Sequence, residues 1–303
     1  MTLGVTMVAF LLLDLLNLKS GGIARSILGP RATPQAISQF NAQNGFDKSI
    51  FVQYWKYLSR LLHGNLGYSY KLNESVDSLL ADELPRDLVL GGLSLIFSLL
   101  IAIPIGIAQA VRRNTAVDHI ATGLSFLLYS MPAYAVAILL IQLLSITFHV
   151  FPAEAPQGSS WLAMLKDPSG LVLPVLSLTL VSYAYFSRYM RSAAIDTLAQ
   201  DYIRTARAKG LSERLVLSRH LVRNSLLSVI TLVGLSIPTI ITGTLIVEAV
   251  FNYPGAGLEY YNSALANDYE VMIAITVLVG IVTVIGNLLA DIAYALLDPR
   301  IRY

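Results

Sequence analysis

Leu88–Val111, LVLGGLSLIFSLLIAIPIGIAQAV, runs from end to end without a single charge. A hydrocarbon core roughly 30 Å thick, crossed at about 1.5 Å per residue, asks for about 20 apolar residues, and this run is long enough to predict a membrane-spanning helix. Others follow it. Ile120–Phe148, Ser225–Val247 and Val271–Ala290 are likewise uncharged and of spanning length, the last continued by DIAYALL beyond Asp291. Leu171–Ser187 is shorter, but it ends in aromatic residues and Arg188, an interface signature that extends a span. Thr2–Leu16, interrupted by Asp14, reads as a retained first span, because no basic segment precedes it and no small-residue cleavage site clearly follows. The expectation is an all-α polytopic membrane protein with six transmembrane helices. Composition agrees: of 303 residues 55% are hydrophobic and 13% charged, at mean hydropathy +0.63, far from the usage of soluble domains. With no cysteine and four scattered histidines, a disulfide scaffold and a thiolate metal site are excluded.

Loop charges orient these spans. The net charge is +1 over Arg112–Asp118, −1 over His149–Gly170, +5 over Arg188–Arg223, −4 over Glu248–Glu270 and +1 over the tail with Asp298, Arg300 and Arg302. Because short Lys/Arg-rich loops stay cytoplasmic, the basic loops and both termini are expected inside and the acidic loops outside. The expected organisation is a first helix over 1–16, an external segment of about 70 residues over 17–87, a core over 88–297 with a basic loop at 188–224, and a cytoplasmic tail over 298–303. Within the external segment, SIFVQYWKYLSRLL sets Phe51, Tyr54, Trp55, Leu58, Leu61 and Leu62 at helical spacing. That predicts an amphipathic helix near 50–62, lying on the ends of the membrane helices or serving as a surface for substrate or a partner.

Chemistry-bearing motifs are missing. There is no phosphate-cradling Gly-x-x-x-x-Gly-Lys-Ser/Thr, no His-Glu-x-x-His and no Gly-x-Ser-x-Gly, so the chain is not expected to be a self-sufficient enzyme. The few acids near spans are Asp14, Asp291 and Glu248, each close to a span end, where interface solvation competes with a role in transport. Pro104, Pro132, Pro174 and Pro238 lie inside spans, and each frees a carbonyl that protein or cavity water must satisfy. Kinked helices around a polar path suit a transporter. The candidate residues for such a path are Ser130, Pro132, Tyr183, Pro238, Thr242 and Glu248.

The charge concentrates in Asp201–Asn224, DYIRTARAKGLSERLVLSRHLVRN, with six Lys or Arg and two acids. Gly210 suits a left-handed helix end, Ser212 a following N-cap and Glu213 a first-turn acid. Two short helices at an angle are predicted. Ile203, Ala206 and Gly210 share one face of the first, while Arg204, Arg207 and Lys209 point elsewhere; a basic loop touching anionic lipid would explain the charge but not the break.

This stretch resembles the cytoplasmic coupling loop of ABC-importer membrane subunits, with the pattern Glu-Ala-Ala-x-x-x-Gly. More closely, QDYIRTARAKGLSERLVL followed by RHLVRNSL is similar to the B-type permeases of the dipeptide, oligopeptide, nickel and glutathione importers. LGPRATPQ, HGNLGYSY, IVEAVFNYPGAG and DIAYALLDPRIRY carry the resemblance along nearly the whole chain. Departures exist: Arg204 and Thr205 replace Glu and Ala, Ser228 replaces a usual proline, Asn65 a usual aspartate, and LLNLKSGG the usual LLPGDP. The resemblance implies a type I ABC importer permease fold and half of a translocation pathway for di- or oligopeptides. The same mechanism could instead serve a nickel chelate or glutathione, and a self-contained secondary transporter is the remoter alternative. It also implies a homologous C-type permease subunit, two ABC ATPase subunits that bind ATP and Mg, and an external or periplasmic substrate-binding protein, with no cofactor in this chain and no nucleic acid. The coupling residues implied are Asp201, Arg204, Thr205, Ala206, Arg207, Gly210 and Leu211, with Ala206 and Gly210 seating the helix in an ATPase groove and Arg204 and Arg207 adding charge contacts.

Overall fold

The computed structural model describes residues 23–29, 31–158, 160–242 and 245–297, with isolated positions before them; side chains over 238–242 and most of 290–297 are not described. The expected first span at Thr2–Leu16 and the tail at 298–303 lie largely or wholly outside the described residues. The segment expected to be external carries α1 (Ile23–Leu28), α2 (Pro34–Asn44) and α3 (Ile50–Leu62). A two-residue antiparallel hairpin follows, β1 (Tyr68–Ser69) on β2 (Glu74–Ser75), a small departure from the all-α expectation.

Helix α4 (Val76–Val111) begins well before the apolar run Leu88–Val111, because Ser75 caps it by accepting the Ser78 N–H at 3.2 Å. The uncharged run Ile120–Phe148 is not one straight span. It divides into α5 (Ala116–Ser130) and α6 (Ala133–Leu140), the latter prolonged by a π-helical stretch to Thr147, and the two halves are bent by 104°. The reason is local: the ring of Pro132 forces Met131 into an extended conformation (φ −83°, ψ 134°), which stops the helix there. After the short α7 (Trp161–Met164), α8 (Pro168–Leu198) extends beyond both ends of the expected Leu171–Ser187. The basic loop forms α9 (Asp201–Ala208) and α10 (Glu213–Leu215), and a π-helical stretch, Val216–Val222, runs without a break into α11 (Arg223–Thr242). The expected span Ser225–Val247 is thus shared between α11 and α12 (Leu245–Phe251). α13 (Ala256–Ala266) and α14 (Tyr269–Leu297) complete the chain, the latter longer than the expected Val271–Ala290. Among the described residues four helices are long and apolar enough to cross a membrane, or five if α5 and α6 count as one span.

The core is a stack of apolar layers. Towards the end that carries the acidic loops, Leu90, Ala137, Leu173, Val247, Phe251 and Tyr253 pack together; beside them Val76 and Leu80 meet Ala256, Val271 and Ala274. The middle layer joins Ala102, Tyr183, Ala184, Met190 and Val229, and Ala110, Ala194 and Leu221 close the end that carries the basic loop. The α4–α8 contact is close because Gly106 has no side chain: a Cβ there would lie 2.8 Å from Met190 Cβ and 2.9 Å from Ser187 O.

On α3 the predicted apolar stripe divides. Tyr57, with Leu61, packs on Tyr269, Met272, Ile273 and Val277 of α14, whereas Phe51, Trp55 and Leu62 are 71%, 73% and 85% exposed.

Candidate coupling surface and membrane-embedded face

The predicted break in the basic loop is present. α9 ends where Gly210 takes φ +75°, donating its N–H to Arg207 O at 2.9 Å while the Leu211 N–H reaches Ala206 O at 3.3 Å. Ser212 stands at the start of the next helix, and its hydroxyl makes no cap bond. The second helix is not a separate short one, since it winds directly into α11 through the wide turns of Val216–Val222.

The loop has its own small core of Ile203, Ala206 and Val216, with Leu211 packed against it. The structure therefore separates the two small residues expected on one seat. Ala206 is 5% exposed and turned inward onto Ile203 and Val216, while Gly210 is exposed and a Cβ on it would meet nothing within 4 Å. Arg207 is engaged within the chain, its Nε donating to Glu213 Oε1 at 2.7 Å and its Nη2 to Oε2 at 3.3 Å, which ties the two sides of the turn. Arg204 lies 3.6 Å from Asp201, and the Thr205 hydroxyl donates to Asp201 O. What the loop offers outward is Asp201, Tyr202, Arg204, Thr205, Ala208, Lys209 and Gly210.

Of the candidate path residues whose side chains are described, two are exposed and two are buried. Ser130 and Pro132 are exposed at the 104° break. Tyr183 is 4% exposed in the middle layer, where its phenol receives a hydrogen bond from Ser125 at 3.3 Å and Ser125 also pairs with Ser187. Pro238 and Thr242 lie in α11, and their side chains are outside the described residues. Glu248 is fully buried: its Oε2 accepts the Leu258 N–H at 2.7 Å, and Asp87 Oδ2 accepts the Ala256 N–H at 3.2 Å, so two acids meet the N-terminus of α13. Around this turn Tyr253 donates to Arg86 O at 2.6 Å, and Arg86 donates to Pro254 O at 3.3 Å. Gly257 must be glycine here, because a Cβ would lie 2.8 Å from Glu248 Oε2. In α13 itself burial raises the Glu259 carboxyl above its ordinary pKa, partly offset by a hydrogen bond from Ser263.

Sequence reading missed two arrangements. Asp118, at the start of α5, is buried and holds Arg191 by two bonds of 2.8 Å, at Nε and Nη2, while accepting from the Asn114 N–H and Thr122. Arg188, read as an interface residue, lies well inside α8 with its guanidinium carbon 4.7 Å from the ring centres of both Phe126 and Tyr129. Opposite charges as far apart in sequence as Asp118 and Arg191 carry no local signature. A cavity of about 360 Å³ also opens between α3 and the first turn of α14, lined by Lys56, Tyr57, Arg60, Tyr70 and Glu270 among others.

Residues 102–303 match the family described as binding-protein-dependent transport system inner membrane component, and residues 1–91 match its N-terminal companion. The chain is 37% identical over 303 residues to the oligopeptide transport system permease protein AppB of Bacillus subtilis (strain 168), covering 99% of this chain and 95% of that protein. It is 35% identical to the oligopeptide transport system permease protein OppB of Haemophilus influenzae, over 89% of this chain and 86% of that one. The glutathione transport system permease protein GsiC of Salmonella paratyphi A is also 35% identical, over 98% and 94%. Among solved structures, the inward-facing MetNI methionine ABC transporter matches at TM-score 0.61 and 16% identity, over 73% of this chain and 96% of that one. An amino acid ABC transporter bound to histidines matches at TM-score 0.53 and 13% identity, over 81% and 98%.

Proposed function

We propose, from the premise that the chain belongs to the family of binding-protein-dependent transport system inner membrane components, that it forms half of the pathway through which an ATP-driven importer takes up peptides. It is a multi-pass membrane permease subunit rather than an enzyme. The other half is a homologous C-type permease. Two ATPase subunits, which bind the ATP and Mg, dock on the basic loops from the cytoplasm, where both termini also lie. A binding protein delivers the solute from outside.

The observation that carries this reading is the shape of the loop. An exposed helix, braced from within by Ile203, Ala206 and Val216, ends at an exposed left-handed glycine, and the segment after the break runs from Glu213 without interruption into a spanning helix. A solvated basic loop would need no internal core and no rigid connection. ATP-driven closure of the motor subunits displaces this helix, and α11 receives the displacement. Asp201, Arg204, Thr205 and Gly210 make the contact; Ala206 and Leu211 hold the shape, and Arg207 braces the turn through Glu213.

The test is co-purification. The tagged chain should bring down ATPase subunits, and the complex should show ATPase activity stimulated by peptide-loaded binding protein. An absence of any ATPase partner would refute the reading. A second reading, glutathione as the solute, draws on the similarity to GsiC; the two separate by which loaded binding protein stimulates hydrolysis.

A further inference from the structure

We infer that Arg188, clasped by Phe126 and Tyr129, is an anion-binding element of the translocation path that receives a carboxylate of the transported solute; this rests on the peptide-permease reading above. The placement follows from helix geometry. α5 starts at the cytoplasmic end, where Asp118 binds Arg191, and Phe126 and Tyr129 lie further along it, about 12 and 16 Å up at a rise of about 1.5 Å per residue. Arg188 itself stands one turn, about 4.5 Å, above Arg191, so the cluster lies in the cytoplasmic half of a hydrocarbon core roughly 30 Å thick. Helical side chains lean towards their own N-terminus. α8 descends from the outside, so Arg188 reaches up into the membrane rather than down towards the cytoplasmic water.

Three observations make this a site rather than a stray charge. Arg188 and Tyr129 are exposed on the surface of the chain, and the adjacent break leaves Ser130 and Pro132 exposed too. Among the described residues Arg188 has no acidic partner, in contrast to Arg191 one turn below, which is fully engaged by Asp118. Both aromatic rings lie within cation–π distance of its guanidinium carbon, which fixes the group in place. A guanidinium held inside the cytoplasmic half of the core and left uncovered cannot face lipid at low cost, so this face borders water or a polar path. Its fork of N–H donors matches a carboxylate, the group every unmodified peptide carries at its C-terminus.

Two measurements in liposomes containing the assembled complex test this. The chain has no cysteine, so Ser130→Cys supplies a single thiol beside the site once the partner subunits are freed of theirs. An anionic sulfonatoethyl and a cationic trimethylammonioethyl methanethiosulfonate should both react, and their rate ratio should shift by about fivefold towards the cation when Arg188→Gln is added, with Arg188→Lys holding the original ratio. No reaction with either reagent, or a ratio indifferent to Arg188→Gln, overturns the proposal. The second measurement compares uptake of trialanine with its C-terminal amide. Arg188→Gln should cut uptake of the free acid relative to the amide by about tenfold, as expected for losing a charge-assisted contact; an unchanged acid-to-amide ratio also overturns it. If the native complex takes up neither tripeptide, the peptide reading is what fails, and the thiol-reagent ratio decides the site alone.

Discussion

Substitution at Gly210 separates two reasons for a glycine in the coupling loop. The residue takes φ +75°, and a Cβ would meet no atom of its own chain within 4 Å, so within the subunit the only penalty of a side chain is the left-handed backbone. That penalty is about 1–2 kcal/mol for alanine and close to zero for asparagine, whose short amide tolerates the conformation. The Arg207–Glu213 pair cannot absorb it. Both side chains are substantially exposed, at 44% and 60%, and exposed pairs contribute about 0–1 kcal/mol. If the loop works by its backbone shape, Gly210→Ala lowers the population of the native turn by about fivefold to thirtyfold, at about 1.4 kcal/mol per factor of ten, while Gly210→Asn does not. If it works by fitting a partner's groove, damage scales with bulk: Asn already impairs, and Gly210→Trp abolishes coupling whatever the backbone does. We expect both contributions, ordered Gly above Asn above Ala, with Trp lowest, read as solute imported per ATP hydrolysed in liposomes, with membrane insertion retained throughout. Normal coupling by Gly210→Trp, or an alanine variant equal to glycine beside a damaged asparagine one, refutes the reasoning.

Three further outcomes follow from named contacts. Asp118→Ala leaves Arg191, whose side chain is 28% exposed, without its partner and should destabilise the chain by about 1–3 kcal/mol, seen as a lowered melting temperature of the purified complex. Ala206→Leu overcrowds the small core shared with Ile203 and Val216 at a cost of about 1–3 kcal/mol and should speed trypsin cleavage after Lys209 even in the absence of ATPase subunits, whereas a role confined to the partner contact predicts no change. Gly106→Val drives side-chain atoms into Met190 and Ser187, pushes α4 from α8, and should reduce the amount of folded subunit in the membrane, with Gly106→Ala the milder lesion.

Charge-free runs made the spans legible, because a membrane selects on hydropathy summed over about 20 residues and that sum needs no knowledge of neighbours. Their ends were less so. α4 starts at Val76 because Ser75 caps it and because its outer turns pack on Ala256 and Val271, contacts from the far end of the chain that no local window contains. Pro132 was visible as a possible kink, but a bend of 104° depends on what the two halves pack against. Within the basic loop, Gly210 and Ser212 marked the break through their backbone preferences. Which face of α9 turned inward was not legible, since Ile203, Ala206 and Gly210 share a face on a helical wheel and only Val216 decides that Ala206 is covered. The surroundings of Glu248 were not legible for a related reason: its Oε2 accepts the Leu258 N–H, which lies in the turn that follows.

The turn from Asn252 to Ala256 works as a rivet. Arg86 and Asp87 of α4 bond to it from one side, while Ala155 donates to Phe251 O at 2.8 Å and Gln157 to Asn252 O at 2.6 Å from the other. Three segments distant in sequence are thereby pinned at one outer point. Under the proposed function, any movement of this end carries the three segments as one piece, and the slack in the stroke belongs at the end that carries the basic loop.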